Sequence, residues 1–296
     1  MAGVSDAFFL PTGEPERFLA TPHTEGPWAP AIQHGGPPCA LLARAVERLP
    51  SSIPGPAQVA RLTVEILGPV PTGEILVQAR VARPGRSVEL VEAELSAAGR
   101  ACMRASAWRV RTAALDLPSG PTGSAAAAPP GPTTEPTPPG PAIEPAPLHR
   151  PATGSAPPHR PATETPPPSP WGDIGFLAAV EWRFVYGRFD VPGPAVAWSR
   201  LRIPVVAGEQ PSPLQRLVTL ADCGNGLASQ YDFVAWWFIN TELTIHLHRA
   251  PVGEWFCAWA DSTLDPSGVG LAEAELYDDT GRVGRGAQAL LVGPRR

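Results

Sequence analysis

An α+β fold written twice in one chain is what the sequence predicts, and three observations carry that expectation. The stretch Arg61–Val110 recurs, with drift, as Glu242–Val292. Leu62-Thr63-Val64 returns as Leu243-Thr244-Ile245, Gly73-Glu74 as Gly253-Glu254, Glu92-Ala93-Glu94-Leu95 as Glu273-Ala274-Glu275-Leu276, and Gly99-Arg100 as Gly281-Arg282. Each copy is preceded by a segment with apolar residues at helical spacing. Within each copy, apolar and polar residues alternate with period two between glycine and proline turns, the pattern of an antiparallel meander. One helix followed by such a meander must wrap its sheet on the helix to bury both apolar faces.

In the first half, His34-Gly35-Gly36-Pro37-Pro38 leads into a helix. Leu41, Leu42, Ala45, Val46 and Leu49 fall on one side and Arg44, Glu47 and Arg48 on the other. Proline in the first turn behind glycines is a helix entry. Val64–Ile66, Ile75–Val81, Val88–Leu95 and Ala101–Val110 follow as strands. Gly68-Pro69, Pro84-Gly85 and Gly99 serve as turns. In the second half the helix begins at Pro213 and runs towards Gly224 and Gly226. Its strands are Leu243–His248, Trp255–Ala260, Gly270–Leu276 and Val283–Val292.

Composition divides the chain. Of its 40 prolines, 19 fall in residues 116–170, where large apolar side chains are almost absent. Such a stretch buries too little apolar surface to offset its ordering entropy, so a disordered, partly polyproline linker is expected there. The expected units are therefore 1–115, a linker at 116–170, and 171–296, the outer two each large enough for a core. A net charge of −5 with scattered basic residues argues against nucleic acid as a partner. No run of about 18 apolar residues is present to span a membrane, and the N-terminus lacks the pattern of a signal peptide. Cys39, Cys102, Cys223 and Cys257 show neither C-x-x-C nor zinc-type spacing, so free thiols, a cytoplasmic location and no metal are expected.

The strings HGGPPCALLARAVE and RLTVEILGPVPTGE in the first half, with LADCGNG, FINTELTIHLHRAPVGEW, GLAEAELYDDTGRV and GAQALLV in the second, resemble the double-hotdog acyl-CoA thioesterases related to bacterial acyl-CoA thioesterase II. The resemblance spans both halves and leaves the linker unexplained. It implies a double hotdog: two helix-plus-sheet units joined sheet edge to sheet edge, with both long helices on one face. It also implies a catalytic set of aspartate, threonine or asparagine, and glutamine that holds a water against a thioester carbonyl. By motif these are Asp222, Asn240 and Gln288, with Thr241 as the neighbouring alternative to Asn240. The implied substrate is an acyl-CoA or acyl-carrier thioester, the assembly a homodimer or larger, and no cofactor is needed.

The chemistry of these residue types is consistent with that set. Gln288 shares a strand face with Leu290 and Val292, and a buried amide without partners costs about 1–3 kcal/mol, so it must be bonded, to backbone or to a water. Its expected counterpart in the first half is Ser106. Asp222 is either a base or a helix cap ahead of Gly224. Asn240 both donates and accepts, and so is able to bridge a water to a carbonyl. The family's oxyanion donors are backbone N–H groups at a helix start, which places Gly35 and Gly36 there. His34 is either a further donor or a surface histidine. Phe233, Trp236, Trp237 and Phe238 are candidate walls of an acyl pocket, and Arg61, Arg83, Arg86 and Arg249 candidate cations for a CoA tail.

Other enzyme classes find less support. No histidine follows Asp222 closely, as an enoyl-CoA hydratase of this fold requires, and no G-x-S-x-G string marks an α/β-hydrolase nucleophile. The non-catalytic alternative is an acyl-group binder whose proline-rich segment presents a polyproline ligand.

Overall fold

The computed structural model describes residues 6–116, 157–168, 171–173 and 175–295. In the first half, two short strands, β1 (Phe9–Pro11) and β2 (Arg17–Ala20), precede the helix α1 (Gly36–Arg48). Strands β3 (Ala57–Ile66), β4 (Gly73–Arg83), β5 (Val88–Ala97) and β6 (Arg100–Arg111) follow it. The second half opens with a single helical turn, α2 (Gly175–Ala178), then β7 (Val180–Arg188) and β8 (Val191–Leu201). Helix α3 (Pro213–Ala221) and the short α4 (Gly224–Leu227) lead into β9 (Trp236–Asn240), β10 (Glu242–Leu247), β11 (Phe256–Leu264), β12 (Val269–Asp278) and β13 (Gly281–Pro294). Strands thus stand ahead of the helix in each half, where the sequence pattern alone suggested that the helix comes first.

All strands join one antiparallel sheet in the order β1-β2-β4-β5-β6-β3-β10-β13-β12-β11-β8-β7, with β9 pairing to β13. Read outward from the centre, the order is the same on both sides, with β3 answering to β10, β6 to β13, β5 to β12 and β4 to β11. The halves meet edge to edge at β3 and β10, and the register there exposes the duplication. Thr244 lies opposite Thr63, Leu243 opposite Val64 and Ile245 opposite Leu62. The threonines face their own repeat equivalents, and the residues flanking them exchange places, as a local two-fold axis through the two threonines requires; their hydroxyls are 3.2 Å apart.

The main core lies between this sheet and helices α1 and α3. Leu41, Leu42 and Val46 from α1, Leu217, Val218 and Leu220 from α3, and Leu62, Val64, Leu243, Ile245 and Leu276 from the strands form one apolar cluster. Pro37 sits in the first turn of α1, where its missing N–H costs nothing. Ser212 caps α3 by accepting from the Gln215 N–H at 3.1 Å. The two helices run antiparallel. The Ser212 hydroxyl at the start of α3 reaches Glu47 near the end of α1 at 2.7 Å, and Gly35 at the start of α1 abuts Asp222 at the end of α3.

The expectation of a disordered linker over 116–170 is narrowed at its C-terminal end. Residues 157–168 lie against the outer sheet face of the second half. The Pro158 carbonyl accepts from Trp198 Nε1 at 3.0 Å, and the Pro161 carbonyl accepts from Arg183 Nη1 at 3.0 Å. Arg160 pairs with Asp279 and stacks on Trp198 and Trp255, with its guanidinium carbon 5.2 and 4.7 Å from the two rings. Beneath lies a second apolar cluster of Val196, Trp198, Trp255, Cys257 and Tyr277. Residues 117–156 and 169–170 of the expected linker lie outside the described residues.

One buried carboxylate fixes the turn between β12 and β13. Asp278 is fully buried and accepts from Arg249 Nη1 and Nη2 at 2.6 Å each, from the Val252 N–H at 3.0 Å and from the Thr280 N–H and hydroxyl. Burial on its own pushes this carboxyl up; the hydrogen bonds outweigh it and bring its pKa down to about 2. Against an unfolded value of roughly 4, the group adds stability that is complete above that value and lost as pH falls through about 2. Asp278→Asn is therefore expected to cost about 2 kcal/mol at neutral pH and to shallow the acid side of the stability curve. Denaturant titrations of both proteins between pH 2 and 7 check this.

Candidate active site

Asp222 stands where α3 ends. Its backbone is still helical, with φ −66° and ψ −19°, and only Cys223 separates it from α4. Its side chain is 3% exposed and caps nothing. Oδ1 accepts from Asn240 Nδ2 at 3.1 Å, and Oδ2 is 3.2 Å from His34 Nδ1. Asn240 closes β9 and lies opposite Leu290 of β13, so both side chains turn to the helix side of the sheet. A carboxylate from a helix end, an amide from a strand end and an imidazole from the other half thus meet at one point.

The glycines of the first half make this meeting possible. A Cβ on Gly35 would stand 2.7 Å from Asp222 Oδ2 and 2.9 Å from Oδ1, well inside van der Waals contact. Gly36 begins α1 and donates its N–H to His34 Nδ1 at 3.0 Å. His34 is buried, not a surface residue, and its ring stacks on Phe176 at 4.1 Å and 19°. The start of α1, with its partial positive charge, faces the carboxylate; Pro37 and Pro38 carry no N–H there, which leaves Gly35 and Gly36 as the backbone donors.

Gln288 lies against the backbone on the C-terminal side of Asp222. Its Oε1 accepts from the Asn225 N–H at 3.0 Å, and its Nε2 donates to the Asp222 carbonyl at 3.1 Å. The amide is 2% exposed and clamps the junction of α3 and α4 through backbone. Gly224 permits this approach, since a Cβ there would lie 2.8 Å from Gln288 Oε1. The counterpart of Gln288 in the first half is Ala107, not Ser106. Gln288 pairs with Ala272 in the strand before it, whereas Ser106 pairs with Glu92, whose repeat equivalent Glu273 pairs with Ala287. Ala107 is fully buried, so the first half has no amide in this place.

Thr241 is not brought to the site. It lies exposed on the outer face, its hydroxyl donating to the Ala289 carbonyl at 3.3 Å. One strand position is enough to reverse the face, and this separates it from Asn240. Asn225 is a site residue that sequence reasoning missed. It is buried, donates from Nδ2 to the Phe238 carbonyl at 3.3 Å and accepts from the Gly226 N–H. The signal was present in the spacing of Gly224 and Gly226 around it, which reads as a tight helical turn.

Next to this group is a cavity of about 260 Å³, whose lining includes His34, Cys223 and Asn225, the aromatic rings of Trp28, Phe189 and Phe233, and Arg295. Of the four expected wall aromatics, only Phe233 lines it. Phe238 packs behind Phe233 edge to face at 4.6 Å, Trp236 stacks on Tyr231, and Trp237 lies over Gly293. Burial, and then the charge of Asp222, push the Cys223 thiol well up; Cys39 on α1 is raised by burial, by Asp222 and by the neighbouring Cys223. Cys223 is thus a protonated wall residue and not a nucleophile. Among the expected CoA cations, Arg249 is committed to Asp278, Arg61 reaches Ser106, Arg83 lies over Trp108, and Arg86 sits in the turn after β4. No cluster able to hold a metal ion occurs among the described residues.

Comparison with known proteins adds an independent finding. The sequence profile of the acyl-CoA thioesterase N-terminal domain matches residues 24–110, and that of the acyl-CoA thioesterase C-terminal domain matches residues 151–292. Among solved structures, a hot-dog-fold protein of unknown function from Alicyclobacillus acidocaldarius is 14% identical, with a TM-score of 0.64 over 99% of this chain and 98% of that one. A candidate thioesterase II from Thermobifida fusca is 20% identical, with a TM-score of 0.61 over 97% of both chains. An acyl-CoA thioesterase II from Mycobacterium marinum is 14% identical, with a TM-score of 0.59 over 95% of this chain and 93% of that one. At these identities the likeness establishes a shared fold, the double hotdog. No curated protein matches the chain in sequence.

Proposed function

Because the chain belongs to the acyl-CoA thioesterase family, whose two domain profiles cover both of its halves, and is thus a thioester hydrolase, we propose that it performs the hydrolysis with a water held by Asp222 and Asn240. The observation that carries this reading is the buried Asp222 carboxylate, 3.1 Å from the Asn240 amide, at the start of α1 and next to a cavity with aromatic walls. The water lies against Asp222, which takes its proton as the water oxygen bonds to the thioester carbon. The carbonyl π pair moves onto oxygen, and the backbone N–H of Gly35 or Gly36, the two at the start of α1 ahead of Pro37 and Pro38, takes the developing charge. When the carbonyl re-forms, the C–S bond breaks and the thiolate leaves with the proton.

In this reading Gln288 is a positioning residue. Its bonds to the Asp222 carbonyl and the Asn225 N–H hold the carboxylate's backbone in place. Only the second half carries the aspartate and the two amides, which supports one site per chain, at the seam with the first half. Four buried, unpaired cysteines support a cytoplasmic location; no helix among the described residues is long and apolar enough to cross a membrane. A homodimer is the assembly we favour. Ile239, Leu291 and Val269 form a cross-strand row on the outer sheet face, each about half exposed, a patch suited to a second copy.

A free-thiol assay over acyl-CoAs from acetyl to palmitoyl tests the reading. A cavity of about 260 Å³ with aromatic walls is expected to give highest kcat/KM for short-to-medium or aromatic acyl groups and a steep fall for palmitoyl. Absence of turnover with every acyl-CoA, while a carrier-protein thioester is cleaved, would move the substrate to the acyl-carrier class.

A further inference from the structure

His34 Nδ1 faces two partners with one lone pair. It accepts the Gly36 N–H at 3.0 Å, while Asp222 Oδ2 lies 3.2 Å from the same nitrogen. An imidazole nitrogen either accepts with its lone pair or, when protonated, donates; it does not do both. The stack on Phe176 confines the ring to one plane, 4.1 Å away, so the two partners compete for the same edge of the ring. Bound to Gly36, Nδ1 has no proton and occupies an N–H at the very start of α1. Protonated and turned to Asp222, it releases that N–H.

From this we infer that His34 is a switch that couples the proton taken from water to the opening of an oxyanion donor. The inference rests on the thioesterase reading above. Before reaction, Gly36 N–H is held by Nδ1. As the water oxygen attacks, its proton passes to Asp222 and onward to Nδ1, which becomes a donor to the Asp222 carboxylate. The Gly36 N–H, no longer held, bonds the carbonyl oxygen as negative charge arrives there. On collapse the proton returns from Nδ1 through Asp222 to the departing thiolate, and Nδ1 recaptures the Gly36 N–H. The donor is thereby stronger in the transition state than in the ground state, which is the condition for raising kcat and not merely tightening binding.

Two substitutions separate this role from a structural one. Asparagine at position 34 places an oxygen where it accepts the N–H two residues on, a local turn that this side chain favours. His34→Asn therefore keeps the hydrogen bond of the turn and locks Gly36, while it loses the stack on Phe176 as His34→Ala also does. His34→Ala removes the acceptor and leaves Gly36 free throughout. With the acyl-CoA that wild type cleaves best, kcat is expected to fall by about 10²–10³-fold in His34→Asn, the loss of one oxyanion donor. It is expected to fall by only about 10-fold in His34→Ala, with KM changing less than kcat in both.

A merely structural histidine gives the opposite order, with the conservative asparagine the more active variant, and that order overturns the inference. Should either variant melt below the assay temperature, wild-type protein labelled with 15N-histidine decides. Adding a trifluoromethyl ketone analogue of the acyl-CoA, which forms a tetrahedral adduct, is expected to shift His34 Nδ1 from the unprotonated to the protonated range. An Nδ1 that stays unprotonated in that complex refutes the switch. If wild type itself cleaves neither acyl-CoA nor carrier thioesters, the thioesterase reading has failed, a result distinct from either.

Discussion

Asp222→Asn is expected to lower kcat by roughly 10³-fold on the best acyl-CoA, because in the proposed mechanism it removes the carboxylate that takes a proton from water. The fold should survive intact. An asparagine of the same shape still offers Oδ1 to Asn240 Nδ2, a bond now 3.1 Å long. Its amide nitrogen takes the place of the carboxylate oxygen 3.2 Å from His34 Nδ1, where it competes with the Gly36 N–H for the one lone pair. The substitution also removes a charge from a side chain that is only 3% exposed, and such a charge is a standing cost to the folded state. The melting temperature should therefore be equal to or above that of wild type, as expected where a site is built at the expense of stability. Thiol-release kinetics beside a thermal melt check both halves of this expectation. Activity within tenfold of wild type would remove Asp222 from the role of base.

Gly35→Ala is the second change with a large expected effect, and it acts without touching a catalytic group. Gly35 caps α1 with φ −63° and ψ −28°, a conformation that alanine adopts freely, so no backbone strain is added. The collision is with the carboxylate, since the new Cβ would lie 2.7 Å from Asp222 Oδ2. Either the carboxylate rotates off Asn240 or the start of α1 retreats, by a few tenths of an ångström to about 1 Å. Displacements of that size in an acid–base site cost about 10²-fold in rate. The expected result is a fall of that order in kcat, with far-ultraviolet circular dichroism and the melt little altered. If Gly35→Ala retains wild-type kcat, the carboxylate is not held where the chemistry needs it.

Much of this was legible in the sequence because the duplication leaves a double trace. The strands β3 to β6 and β10 to β13 alternate cleanly, since one face meets the helices and the other solvent. The motif LADCGNG placed Asp222, and FINTELT placed Asn240. Three things were not legible, each for a physical reason. Strand β8 gives no alternation because both of its faces are covered, the inner by the core and the outer by residues 157–168. Ala195, Val196, Ala197, Trp198 and Ser199 are accordingly all buried. The pairing of His34 with Asp222 joins opposite halves, and no local spacing announces it. The role of Gln288 depends on where its two polar ends point, and a strand pattern reports only that it faces inward. The same register argument that identified Gln288 misassigned its counterpart by one residue, which in a strand is the difference between two faces.

The seam where Thr244 lies opposite Thr63 has a bearing on how the enzyme behaves when dilute. Many active sites built from two like subunits come apart as protein concentration drops below the dissociation constant. Here both contributors to the site are tied by peptide bonds and zipped along β3 and β10, so their mutual concentration is set by the chain itself. Specific activity should then stay constant down to nanomolar protein, whatever larger assembly forms through the outer face. Joining the halves also freed them to diverge: one could keep alanine at position 107 while the other held Gln288, a division of labour that a symmetric pair of identical chains is unable to adopt.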